Sequence, residues 1–263
     1  MLVDHEEYEV VVTAVAPVGA MVRTAAGDEG FVDRAKHPSW WSPTPRAAVG
    51  DRMRAVVLDA SRTPARLSAL ADDVRIARSL RHTTPLTRLC PPAGEAASVE
   101  WGPVEESLGL TLPADYRHLV ERYGGGLFAD TVWLLSPGCP DPFYDLVGQC
   151  AERAEDLADL WDAGEDRPDG LRDGDRLVPW GYVEGAGHVL YWLVRPGTEP
   201  EEWPVLLNEG RGPLWEFHPP LCSRFLLDVV AGTTTSYYFT DLDELVTPAE
   251  RTRFLPLARI TGP

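Results

Sequence analysis

The chain has 263 residues, 44% hydrophobic and 25% charged, an ordinary globular composition that argues against wholesale disorder. Acidic residues number 41 against 24 Lys plus Arg, a formal net charge of -17; so acidic a chain is a poor generic nucleic-acid binder and suits a basic partner. No apolar run approaches the ~18–20 residues that span a bilayer, so no membrane association is expected.

The start, Met1-Leu2-Val3-Asp4-His5-Glu6-Glu7, is acidic where a signal peptide is basic, and a cytoplasmic protein is expected. Cys90, Cys139, Cys150 and Cys222 form no CxxC pair and no zinc spacing, and read as buried small hydrophobes. The charge is unevenly spread. Residues 1–90 hold 11 acids and 12 bases, whereas residues 91–263 hold 30 acids and 12 bases. That change of character predicts a domain boundary, and the organisation expected is 1–72, a linker over 73–97, a second domain over 98–235 and an extension over 236–263.

In chain order, residues 8–15 are β-branched and strand-like, and 20–24, 29–32, 52–59 and 65–70 supply further strands separated by glycine turns. Five short strands within about 70 residues predict a small closed barrel, which leaves no sheet edge open. The segments Val10-Val11-Val12-Thr13-Ala14-Val15, Gly19-Ala20-Met21-Val22, Glu29-Gly30-Phe31-Val32, Val49-Gly50-Asp51 and Arg66-Leu67-Ser68 make residues 6–70 resemble an OB domain of the ribosomal S-one type. That resemblance implies single-stranded RNA binding through aromatic and basic residues on one face, here Phe31 with Arg23, Arg34, Arg52 and Arg54. Met21 stands where the family usually has an aromatic ring, and the segment is close to neutral. A barrel used for protein contacts is the other reading. Trp40-Trp41, in a polar loop, is either an aromatic anchor or a lid over the barrel. Arg75, Arg78, Arg81 and Arg88, followed by Cys90-Pro91-Pro92-Ala93-Gly94, have the composition of a linker.

Beyond the linker, Ser98 is placed to cap a helix carrying Trp101, Val104 and Leu108 on one stripe and ending at Gly109. A second helix starts at Pro113, buries Tyr116, Leu119, Val120 and Tyr123, and stops at Gly124-Gly125-Gly126. Because the glycines follow a helix and precede a strand, they read as a stop signal, not as a phosphate cradle. Strands are predicted at 132–135, 178–182, 189–194, 205–208 and 214–217, with helices at 146–161 and 223–232. Glu105, Leu108-Gly109, Leu112-Pro113, Asp115-Tyr116 and the later Ser223-Arg224-Phe225 make residues 98–235 resemble the SUKH superfamily, the Smi/Knr-type domain. The resemblance implies an α+β domain with helices on a mainly antiparallel sheet. In a bacterial setting it also implies an immunity protein that binds and blocks a polymorphic toxin, such as a nuclease or nucleic-acid deaminase, without catalytic residues. The fold expected overall is therefore two domains, a five-stranded OB barrel and a SUKH-like α+β domain.

Residues 145–175 hold 11 acids against Arg153, Arg167 and Arg172. Glu152, Glu155, Asp156, Asp159, Asp162, Asp166, Asp169 and Asp173 are the candidates for docking a basic partner; a solvated face that only aids solubility is the plainer reading. The spacing around Asp166-Arg167-Pro168-Asp169-Gly170 is not that of a calcium loop. Trp203, between Glu201-Glu202 and Pro204, is read as an exposed anchor or a turn-packing residue. No GxSxG, P-loop, HExxH or GxGxxG is present. Gly185-Ala186-Gly187-His188 reads as a hairpin turn, and His118 with Glu121 makes no metal site alone. Neither catalysis nor a cofactor, metal or small-molecule substrate is expected.

Overall fold

The first segment buries Val10, Val12, Ala20, Val22, Val32, Ala55, Val57 and Leu67 at alternate positions, with Val56 and Ser68 buried as well, and this pattern fixes which side of each strand faces the barrel interior. In the computed structural model these strands, β1 (Glu7–Ala16), β2 (Gly19–Thr24), β3 (Glu29–Asp33), β4 (Arg52–Asp59) and β5 (Ala65–Ser68), close in the order β1-β2-β3-β5-β4. Only β3 and β5 pair in parallel. The structure describes residues 1–40, 47–94, 98–240 and 246–257. Trp40 ends a 3-10 turn, Pro38–Trp40, and Trp41 lies outside the described residues.

The chain divides into two units at Thr84 and Pro85. The stretch expected as a linker is largely helical, with α1 (Ala71–Leu80) and α2 (Thr83–Leu89). Helix α1 belongs to the barrel unit. Its Arg78 pairs with Glu7 at 2.8 Å, and its Asp73 receives Lys36 at 2.8 Å. Arginine suits an amphipathic helix as well as a linker, and the prolines that suggested a linker come only after Leu89.

The second unit is built on a sheet ordered β11-β10-β9-β8-β7-β6-β12, in which every pairing among the described strands is antiparallel. Its strands are β6 (Gly126–Phe128), β7 (Val132–Leu134), β8 (Arg176–Val183), β9 (Val189–Val194), β10 (Val205–Asn208), β11 (Trp215–His218) and β12 (Phe254–Pro256). Its helices include α3 (Trp101–Leu108), α4 (Ala114–Tyr123), α5 (Leu146–Asp162), α6 (Cys222–Ala231) and α7 (Pro248–Arg251). The continuous apolar runs of β8, β9 and β10 are buried along their length, as strands covered on both faces must be.

Helix α3 begins at Trp101 behind Glu100, so Ser98 is not its cap. Gly109 ends it at φ 64°, where a side chain would be strained. Glu105 then turns back to accept the Leu112 N–H at 2.9 Å and faces Arg117 at 3.6 Å, which fixes the turn into α4. Inside, Tyr116 donates its hydroxyl to the Leu135 carbonyl at 2.7 Å and sets its ring edge against Trp192 at 4.9 Å. Phe225 of α6 meets Trp180 at 5.9 Å. Cys90 and Cys222 are buried, and burial pushes the Cys90 thiol up to about 12.

One further expectation is corrected here. Trp203 is 4% exposed and belongs to the core, not to a docking surface. The 3-10 turn Pro200–Glu202 leaves Glu202 exposed, brings Glu201 to accept the Ala114 N–H at 3.3 Å, and turns the next ring inward, beside the wholly buried β10. The extension over 236–263 carries the 3-10 turn Tyr237–Phe239 and α7, and it also adds a strand to the sheet, since β12 pairs with β6 and Phe254 packs against Tyr123 and Phe128 at 4.9 and 4.7 Å.

Candidate functional site

The acidic run divides into three groups. Asp145 caps α5, accepting from Gly148 N at 2.8 Å, and also takes Gly138 N at 2.7 Å. Glu165 accepts from Gly212 N at 3.0 Å, and Asp175 lies 3.6 Å from Arg195. These three are structural. Glu152 and Asp156 hold Arg153, Glu152 at 3.2 Å. Burial works against the Arg153 charge, and Tyr182, Asp156, Tyr191 and Glu152 more than restore it.

Glu155, Asp159, Asp162, Asp166, Asp169 and Asp173 are exposed, with no ion pair among the described residues. On α5, positions 152, 155, 156, 159 and 162 fall within one helical face, and the loop beyond carries the rest. Arg167, one of the few bases here, lies over the Trp161 ring at 4.7 Å. The result is a run of unscreened carboxylates anchored at one end by a capped helix. Such a surface attracts a basic protein from a distance and is weakened by salt.

On the barrel, cross-strand register decides which candidates meet. One row runs Arg52, Val11, Arg23, Glu29 across β4, β1, β2 and β3, and another runs Met21, Phe31, Arg66 across β2, β3 and β5. Arg23, Phe31 and Arg52 therefore share the outer face, although Arg23 also pairs with Glu29 at 2.7 Å. Arg54 lies opposite Glu9, and Arg34 starts the 3-10 turn after β3, reaching the Pro17 carbonyl at 3.4 Å. Arg66 was missed from sequence. It stacks over Phe31 at 4.7 Å, and its place between the buried Ala65 and Leu67, on the opposite side of the strand, was the available signal.

A further feature of the second unit had no sequence signal. A cleft of about 560 Å³ lies beside the turn that joins β8 and β9, and Asp130, Thr131, Tyr237 and Tyr238 are among its lining. His188 meets the Tyr238 ring at 4.5 Å, and burial lowers its pKa, with Glu209 and Glu216 opposing. Glu216 fixes the Tyr237–Phe239 turn by accepting Ser236 Oγ and Tyr237 N, both at 2.6 Å. A smaller cleft of about 240 Å³, lined by Trp133, Phe143, Tyr144 and Tyr182, shares Val183 and Glu184 with the first. Among the described residues no three His, Cys, Asp or Glu side chains converge as metal ligands, and no helix is long and apolar enough to cross a membrane.

No family model matches the chain, and no curated protein matches it. Among solved structures, the chain is similar to the uncharacterized protein MJ1198 from Methanocaldococcus jannaschii at 15% identity, over 27% of this chain and 96% of that one, with a TM-score of 0.23. It is also similar to a chain of the a/eIF2alpha-aDim2p-rRNA complex from Pyrococcus horikoshii at 18% identity, over 46% of this chain and 82% of that one, with a TM-score of 0.24.

Proposed function

We propose that the chain is a non-catalytic binding protein whose acidic second unit neutralises a basic protein partner, a toxin of the nuclease or nucleic-acid deaminase kind. The observation that carries this reading is the set of six exposed carboxylates on and after α5 that no cation balances among the described residues. A nuclease or deaminase must itself attract phosphates, so an ordered row of carboxylates competes for the same surface. The SUKH-like reading is supported by the roles of the quoted motif residues. Glu105 fixes the α3–α4 turn, Tyr116 reaches the Leu135 carbonyl, and Asp115 meets the start of α6 at Ser223.

The test is rescue of cells that express the toxin encoded beside this chain. Rescue should be lost when Glu155, Asp159 and Asp162 are changed together to Lys, with melting behaviour preserved. Full rescue by that variant would remove the reading.

A second reading has its own observation. Arg23, Phe31, Arg52 and Arg66 occupy adjacent rows on the outer face of the barrel, and strand order β1-β2-β3-β5-β4 is compatible with an OB barrel that holds single-stranded RNA there. On this reading the second unit recruits a protein to the RNA.

A further inference from the structure

The double cleft beside the β8–β9 turn is the part of the second unit whose chemistry the acidic helix does not use. The larger cleft is within the ~300–1,000 Å³ range of ligand-holding pockets. Four carboxylates line it, Asp130, Glu184, Glu209 and Glu250, and no Lys or Arg does. Two of the four are engaged. Asp130 pairs with Arg253, and Glu250 closes the Thr247 capping box. Glu184 receives only the neutral Trp133 indole N–H, and Glu209 has no ion pair among the described residues. Glu184 is exposed and Glu209 half-buried, so both are open to a cation.

The rest of the lining is aromatic. Tyr237, 73% exposed, and Tyr238 present rings, and His188 is biased towards its neutral form by burial. Carboxylates beside aromatic faces favour a planar cation, which can donate paired hydrogen bonds to the one group and stack on the other. A phosphate or carboxylate ligand would be repelled. The neighbouring cleft differs: its lining includes Arg153, whose charge is held by Glu152 and Asp156, and Phe143, 55% exposed, stacks on Tyr182 at 5.3 Å, beside Trp133 and Tyr144. Since the two clefts share Val183 and Glu184, one extended chain can occupy both.

We propose that this double cleft binds an extended segment of the protein partner, with an arginine side chain between Glu184 and Glu209 and a nearby apolar side chain against Phe143. The inference rests on the protein-binding reading and gives it a second, short-range contact. The α5 face draws the partner in, and the cleft reads one arginine of it.

The test follows backbone amide NMR signals of the full chain during titration with N-acetyl-arginine amide, its neutral citrulline analogue and a short acetylated peptide carrying one arginine and one phenylalanine. Saturable shifts are expected at Glu184, Gly185, His188 and Tyr238, in the millimolar range for the single residue. Binding should be at least about tenfold weaker for the citrulline analogue and for Glu184→Gln/Glu209→Gln, in line with the loss of a charge-assisted pair. The peptide should bind at least about tenfold more tightly than the single residue, and Phe143→Ala should remove that gain. No saturable shift, equal binding of citrulline, or unchanged binding to the Gln variant overturns the proposal. Equal affinity for peptide and single residue overturns the partner-segment assignment and points to a free guanidinium compound. Tyr237→Ala is a second variant at an exposed position, and retained binding there would remove the stacking component. Failure of all these titrations while Lys substitutions on α5 still abolish rescue would sink this inference alone.

Discussion

Asp115, in the first turn of α4, accepts the backbone N–H of Ser223 at 2.9 Å, and Ser223 stands at the second position of α6. Leu221, at the cap position of α6, offers no side-chain acceptor, so a carboxylate distant in sequence does the capping. Cys222 Sγ also donates to Asp115 at 3.3 Å. Asp115 is fully buried, and burial raises its pKa against the opposing effect of these donors. Asp115→Ala should destabilise the chain by about 1–3 kcal/mol in urea denaturation, the cost of orphaning buried donors.

The same carboxyl predicts a pH effect. Because its folded pKa lies above the ordinary carboxylate value, the native state holds the proton more tightly. Its contribution is fully present below that ordinary value and is lost as pH rises through the raised one. Asp115→Asn keeps an acceptor for Ser223 and does not titrate. Its stability relative to the natural chain should therefore increase with pH across that window in paired denaturation curves. Parallel curves would show that burial does not perturb this group.

On α5, charge reversal should act on association and leave folding largely alone. Glu155→Lys with Asp159→Lys should cut the association rate of a basic partner about tenfold or more at low salt, measured by stopped-flow mixing. The difference should shrink as salt rises, and stability should move by no more than about 0.5 kcal/mol. A rate independent of salt would show that the exposed carboxylates serve solubility alone.

For the barrel, fluorescence anisotropy with a labelled uridine oligomer tests the RNA reading. Phe31→Ala should weaken binding by about 1–3 kcal/mol through lost stacking. Arg52→Ser should lower the dependence of log affinity on log salt by about 0.7 per lost phosphate contact. No binding by the natural chain at low salt would discard this reading.

Phe254 gives the clearest stability prediction. It is 5% exposed and meets Tyr123 and Phe128, so Phe254→Ala should cost about 3–5 kcal/mol. A chain cut before residue 254 should lose more, since the β6 edge then has no partner.

Much of the architecture is legible from local patterns. The alternation of Val10 and Val12 has the period of a strand, the apolar runs of β9 and β10 are short and bounded by glycine or proline, and those strands lie where the sequence puts them. The side read for α5 holds for Leu146, Val147, Cys150, Leu157 and Trp161, which pack on the core, while Ala154 is exposed. What escapes sequence reading is set by distant neighbours. Trp203 sits among acids and a proline, and only the burial of β10 turns its ring inward. Residues 254–256 have no strand signature longer than a turn until β6 offers them an edge. The acidic face is legible because consecutive helical turns carry it. The double cleft is not, because Asp130, Glu184, Glu209 and Tyr237 come from four separate segments.

The pairing of β12 with β6 has a consequence for how the chain is made. The last described strand of the second unit lies beside its first, so β6 leaves the ribosome long before its partner exists. At ~5–20 residues per second the interval is on the order of 10 s. During that time the nascent sheet carries an open row of peptide groups, and completion of this sheet waits until residues 254–256 are made. Synonymous codons that slow elongation between these strands should lengthen that exposure without altering the finished protein.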